Sequence, residues 1–233
     1  MVRLRPGDVV SHARMCDVEG IMLQHGMNFR PGGRTSIFLM SVRPGAPYED
    51  QTQDDGRVLV YEGHDIARFR GGPDPKSVDQ PMHLPGGGLT RNGKFFAAAQ
   101  AFKQDKAPAE LVKVYEKIRA GIWVYNGVFR LLDAWLERSG RRRVFKFRLQ
   151  VHEGPAPAEV RLPKDLPHNR MIPTAVKLAV WKRDKGRCVK CSSTKNLHFD
   201  HVLPFSRGGT SLKVENIQLL CARHNIAKRD RIE

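Results

Sequence analysis

Four residues near the carboxyl end have the types and spacing of a metal clip. Cys188 and Cys191 form a C-x2-C turn, which brings two thiolates onto one face, and Cys221 and His224 supply a second pair three residues apart. Three thiolates and one imidazole make up the tetrahedral donor set that zinc takes in structural sites. The remaining cysteine, Cys16, lies far upstream, and the first residues lack the apolar core of a secretory signal, so the clustering points to metal and not to disulfides. Between the two pairs stand His198, Asp200, His201 and Asn216, and Asn225 follows His224 directly. His198 has two readings, a satisfied structural histidine or a ligand or phosphate contact.

The elements that must position these groups are short. Residues 174–186 read as an amphipathic helix stopped by Gly186, followed by the Cys-rich turn, a strand pair around residues 197–203 and a closing helix from about residue 219. A module of about sixty residues buries a marginal share of its surface. Structural zinc contributes on the order of 10–16 kcal/mol and so decides whether such a module folds. Upstream, residues 35–42, 56–63, 121–137 and 142–151 are β-branched and aromatic runs separated by Gly, Pro and Asp clusters, as strands are. Residues 93–107 read as a helix; residues 108–120 read as a second helix that could equally contain a strand. The fold expected is α+β: a curved, barrel-like sheet with flanking helices over residues 1–153, and a small zinc-stapled module over residues 173–233. Residues 152–173 hold five prolines and no hydrophobic periodicity, so residues 154–172 are expected to be a linker.

The formal net charge is +16, a potential that attracts polyanions, nucleic acid first among them. The last seventy residues carry 15 Lys and Arg against 6 Asp and Glu, a far denser excess than the rest of the chain. No apolar run is long enough to cross a membrane, so a soluble, cytoplasmic protein with no membrane partner is expected.

Asp200-His201, the Gly208-Gly209 loop, the Asn216-Ile-Gln-Leu-Leu-Cys221 segment and the closing His224-Asn225 together resemble the HNH endonuclease family, whose ββα-metal fold carries such landmarks. The resemblance covers roughly residues 175–230. It implies hydrolysis of DNA phosphodiesters, with His201 as general base and with Asp200 and Asn225 holding one catalytic divalent cation, magnesium first. It also implies that Asn216 braces the loop carrying His201. The family usually places a cysteine where this chain has His224, which leaves that residue as the fourth zinc ligand or as the closing catalytic histidine. On a helix only one of His224 and Asn225 can share the face of Cys221, and the spacing gives that face to His224.

In the amino-terminal part, residues 33–41, Tyr48-Glu49-Asp50-Gln51, Tyr61-Glu62-Gly63, Thr90-Arg91-Asn92 and Tyr125-Asn126-Gly127 follow in order the landmarks of the SRA (YDG) domain. That family flips a modified cytosine out of duplex DNA into a pocket. The resemblance implies that Tyr48 and Tyr61 sandwich the base and that Asp50 or Gln51 meets its exocyclic amine, with Glu62 beside them. It implies DNA contacts from the finger segment holding Thr90, Arg91 and Asn92; Arg207 is expected to contact DNA in the other module. Arg141, Arg142 and Arg143 read as a solvated, phosphate-contacting hairpin turn. The two resemblances join in one expectation: a modification-dependent, type IV-like restriction endonuclease acting on double-stranded DNA that carries 5-methylcytosine or a related base. One such centre cuts one strand, so a homodimer is expected. The alternatives are a non-cutting reader of modified DNA and a nickase or nuclease indifferent to modification.

Overall fold

The structure, a computed structural model, describes residues 4–153, 171–204 and 208–228. In chain order the elements are β1 (Val9–Val10), α1 (His12–Glu19), β2 (Met27–Asn28), β3 (Ser36–Met40), β4 (Gln51–Gln53), β5 (Val58–Glu62), α2 (Arg91–Lys103), β6 (Leu111–Arg119), β7 (Ile122–Ser139) and β8 (Arg142–Val151). They continue with α3 (Thr174–Arg183), β9 (Leu197–His201), β10 (Ile217–Cys221) and α4 (Ala222–Lys228).

The first eight strands form one sheet in the order β2-β3-β6-β7-β8-β5-β4, with β1 paired to β7. All pairings are antiparallel except β3 with β6. The end strands β2 and β4 do not pair among the described residues, so the expected curved sheet is present without closing into a barrel. The main core lies where α2 crosses the sheet, with Phe95 and Ala99 of the helix against Phe38, Leu59, Phe129 and Phe147. Thr90 caps α2, its hydroxyl accepting from Gly93 N at 3.1 Å.

Residues 111–119 are a strand, the alternative that stood beside the helical reading of this segment. Val112, Val114, Tyr115 and Ile118 suit a sheet interior, and two of the segment's charges, Lys113 and Glu116, are buried ion-pair partners. Lys113 meets Glu19 at 2.8 Å, and Glu116 meets Lys177 of α3 at 2.5 Å.

β9 and β10 form an antiparallel hairpin flanked by α3 and α4. The strand runs through Cys221, so the closing helix starts three residues later than expected. Packing between the small module and the large sheet is extensive: Ile118 and Val124 of the sheet share one core with Ile172, Val176, Val180, Leu197, Phe199 and Leu219. No helix is long and apolar enough to cross a membrane among the described residues.

Candidate functional site

The four clip residues converge. Cys188 Sγ and Cys221 Sγ each lie 3.3 Å from His224 Nδ1, and Cys191 Sγ lies 3.8 Å from Cys221 Sγ. All four donor atoms fall within 4.8 Å of one another. Zinc–sulfur bonds of about 2.3 Å in a tetrahedron place sulfurs roughly 3.8 Å apart, so the cluster fits zinc with little movement. Burial opposes ionisation of the Cys188 thiol, but hydrogen bonds from the backbone of Cys221, Lys190 and Cys191 and from His224 bring it down to about 6. His224 thus faces the thiolates, although Cys221 ends a strand and does not share a helix with it.

His201 ends β9, next to Asp200, whose carboxylate accepts a hydrogen bond from Lys228 Nζ at 2.6 Å. Lys228 also donates to the carbonyl of His201, and its side chain is 1% exposed. Sequence reasoning missed this lysine. Its signal was its place three residues after Asn225, on the same face of α4. Asn225 is half-buried in that helix. The Nε2 atom of His201 lies 2.9 Å from the Ser211 hydroxyl. Burial lowers the pKa of His201, with Lys228 and His198 adding to the fall against Asp200, so its imidazole is neutral at pH 7.

Asn216 ties down the loop that follows His201. Its Nδ2 donates to Leu203 O at 3.2 Å and to Thr210 O at 2.9 Å, and its Oδ1 accepts from Leu203 N at 2.8 Å. Gly209 makes that loop possible: a Cβ there would sit 1.9 Å from the carbonyl oxygen of Leu203. His198 takes the structural position, its Nδ1 paired with Asp8 Oδ1 at 2.8 Å. Arg207 lies outside the described residues.

In the large sheet a cleft of about 1420 Å³ opens between the β3–β4 loop, β5 and the start of α2, lined by His25, Tyr48, Asp50, Tyr61, His64 and Arg91 among others. Asp50 is buried, accepting from Ser41 N at 3.1 Å and from Glu62 N at 3.0 Å, whereas Gln51 is exposed. Burial pushes the Asp50 carboxyl up to about 7 against those two N–H donors. Glu62 is 2% exposed and sits in a buried ion network with Lys146 at 3.0 Å and Arg142 at 3.3 Å. Arg142 is therefore a buried structural cation and not part of a solvated turn, and Arg143 pairs with Asp79 at the surface. Asn92 is also buried: its side chain accepts from His64 N at 2.9 Å and donates to His64 O at 2.8 Å, so it positions His64 instead of reaching outward. Thr90 is half-buried, its hydroxyl donating to backbone carbonyls, while Arg91 is exposed at the rim.

The two tyrosines expected to form a sandwich are placed differently from each other. Tyr48 is half-buried in the loop, stacked on His64 with ring centroids 5.3 Å apart and planes at 14°. Tyr61 is 1% exposed and stacks on Phe38 of the core at 4.2 Å.

Among curated proteins none matches the chain. Among solved structures it is similar to the SUVH5 SRA domain in complex with methylated CHH DNA, at 20% identity and TM-score 0.45, over 65% of this chain and 90% of that one. It is also similar to SUVH5 SRA bound to fully hydroxymethylated CG DNA, at 21% identity and TM-score 0.43, over 70% and 99%. A third is KRYPTONITE in complex with mCHH DNA, an H3(1-15) peptide and SAH, at 16% identity and TM-score 0.43, over 70% and 34%. Residues 188–231 match the family model of the HNH endonucleases, so the module that carries the Cys3His cluster and His201 is an HNH region.

Proposed function

We propose that the chain is a modification-dependent DNA endonuclease, in which the cleft of the large sheet holds an extruded modified cytosine and the HNH hairpin hydrolyses the phosphodiester. The observation that carries the reading is the hairpin: His201 and the Asp200 carboxylate at the end of β9, followed by a loop that Asn216 ties down, in the same module as a zinc-type cluster. With Nε2 turned to Ser211, the Nδ1 atom of His201 is the one that takes the proton from an attacking water. Asp200 and Asn225 are the residues to hold a divalent cation, magnesium by the hardness of their oxygens. Such an ion, when bound, stabilises charge on the phosphate and the leaving oxygen. Lys228 already supplies a positive charge against Asp200 and fixes the end of β9 through the His201 carbonyl. The structural zinc belongs to Cys188, Cys191, Cys221 and His224.

Asp50 fits the Watson–Crick edge of cytosine. A carboxyl that titrates near pH 7 can donate to the ring nitrogen N3 while accepting from the N4 amine. The exposed Arg91 at the rim and the overall +16 charge serve the phosphates. Cutting both strands at once takes two copies, since the described residues of each chain carry one such hairpin.

The test presents magnesium and matched plasmids bearing cytosine, 5-methylcytosine or 5-hydroxymethylcytosine to the full chain and to its His201→Ala variant. Linear product from modified plasmid is expected, rising more steeply than first order in protein and absent with His201→Ala. Cleavage that survives in the variant sinks the catalytic assignment. Equal cleavage of unmodified plasmid leaves a nuclease indifferent to modification, and binding without cleavage leaves a reader alone.

A further inference from the structure

The aromatic ring that faces Tyr48 across the cleft is His64. We propose that His64, not Tyr61, is the fixed wall against which a planar base is stacked, with Tyr48 as the wall that moves; this rests on the modified-base reading above. Tyr61 lines the cleft but is unsuited to that part, because one face of its ring is stacked on Phe38 and the residue is 1% exposed. It serves instead as a post for His64. The Tyr61 hydroxyl lies 3.1 Å from His64 Nε2, within hydrogen-bond distance, and 3.4 Å from the carbonyl of Leu39.

The backbone of His64 is held as firmly as its ring, since the Asn92 side chain bonds both its N–H and its C=O. Gly26 closes on one edge of the ring, where a Cβ would come within 2.5 Å of His64 Nε2, 2.9 Å of its Cε1 and 2.6 Å of the Tyr61 hydroxyl. Tyr48 is tied far more loosely. Its phenol oxygen accepts one long bond from Asp65 N at 3.5 Å, and Lys76 Nζ lies 4.2 Å from its ring centroid.

The present gap is too narrow for a guest. Two stacking contacts of roughly 3.5 Å require about 7 Å between the outer rings, more than the 5.3 Å that separates the ring centroids here, so Tyr48 must withdraw to admit a base. The rings are already within 14° of parallel, so this is a translation of one loop and not a rebuilding of the cleft. Burial, together with Arg91, His25 and Lys76 against Asp65, drives the pKa of His64 down to about 4, so it stacks as a neutral ring at pH 7.

The experiment uses the full, zinc-loaded chain without magnesium and measures anisotropy of a labelled duplex bearing one 5-methylcytosine against the same unmodified duplex. His64→Leu, which keeps bulk and removes the ring, and His64→Ala should each lose roughly tenfold or more in affinity for the modified duplex, the range of one base–aromatic stack. His64→Phe should recover most of the loss. Affinity for modified DNA that is unchanged or tighter in His64→Leu overturns the proposal, making the histidine a bystander or a plug. A wild-type chain that binds both duplexes equally fails the modified-base reading itself, and this inference with it. Preference kept by the wild type and by His64→Leu alike fails the inference alone.

Discussion

Replacing Asp50 by asparagine should change the response of stability to pH more than stability at any one pH. The side chain is buried, its two oxygens accept from Ser41 N and Glu62 N, and the carboxyl is raised from 3.8 to about 7. The cause is burial first, with the Glu62 carboxylate adding to it against the two N–H donors and Lys146. Between pH 3.8 and about 7 the folded chain keeps a proton that the unfolded chain releases. Stability from this group is thus greatest below the lower value and declines as pH rises through the folded one. A shift of about three units, at ~1.4 kcal/mol each, makes the full decline about 4 kcal/mol. His64 runs the other way. Its folded pKa of about 4 lies below 6.5, so the unfolded chain takes a proton that the folded chain refuses, and stability rises with pH across that window. The two slopes offset each other in the wild type, and only the rise remains in Asp50→Asn. Urea denaturation followed by tryptophan fluorescence, with zinc saturating, should show the variant gaining about 2 kcal/mol on the wild type between roughly pH 5.5 and pH 7.5. A difference that stays constant over that range would mean that Asp50 ionises as an ordinary carboxylate, and the argument for a proton shared with a cytosine edge would go with it.

Two other perturbations address the frame. Lys177→Met leaves Glu116, which is 0% exposed, as an unpaired buried carboxylate beside Asn126 and Thr174, and should cost about 3–5 kcal/mol in thermal denaturation. Adding Glu116→Gln should restore most of it, and a double variant as unstable as the single one would refute the pairing argument. Metal analysis should find one zinc per chain, removed by a strong chelator with a fall in melting temperature and loss of DNA cleavage. A metal-free chain with unchanged melting would remove the zinc clip.

What the sequence discloses about the site is what short-range spacing can carry. The clip and the hairpin are read from residues three apart or in adjoining strands, where backbone geometry leaves few arrangements: Cys188 and Cys191 in one turn, Asp200 opposite Gln218, and Asn216 directly before the returning strand. Alternation fails where both faces of a strand are covered. All five residues of β5 are buried, so no period-two pattern tells that Tyr61 enters the core or that Glu62 joins an ion network. The order of landmarks locates the cleft without saying which rings line it. His64 follows β5 in a loop, and its orientation comes from Asn92, twenty-eight residues away, which no local pattern reports.

The same reasoning explains why the relation between the two modules is not legible from residues 154–172. Composition there reads as a tether, but what joins the modules is supplied by distant residues. Gly7 N donates to Tyr125 O while Gly7 O accepts from Phe199 N, so one amino-terminal segment links the large sheet to the HNH hairpin by main-chain bonds. Asp8 adds the ion pair to His198, and Lys177 of α3 reaches Glu116 and Asn126 of the sheet from a position 1% exposed. Met171, at the near end of α3, is buried in the core of the large sheet. Separating the modules would expose a shared apolar core and strand a buried charge pair, a cost that no proline-rich segment offsets. The span from the Tyr48–His64 cleft to His201 is therefore set by this interface and not by the length of chain between them.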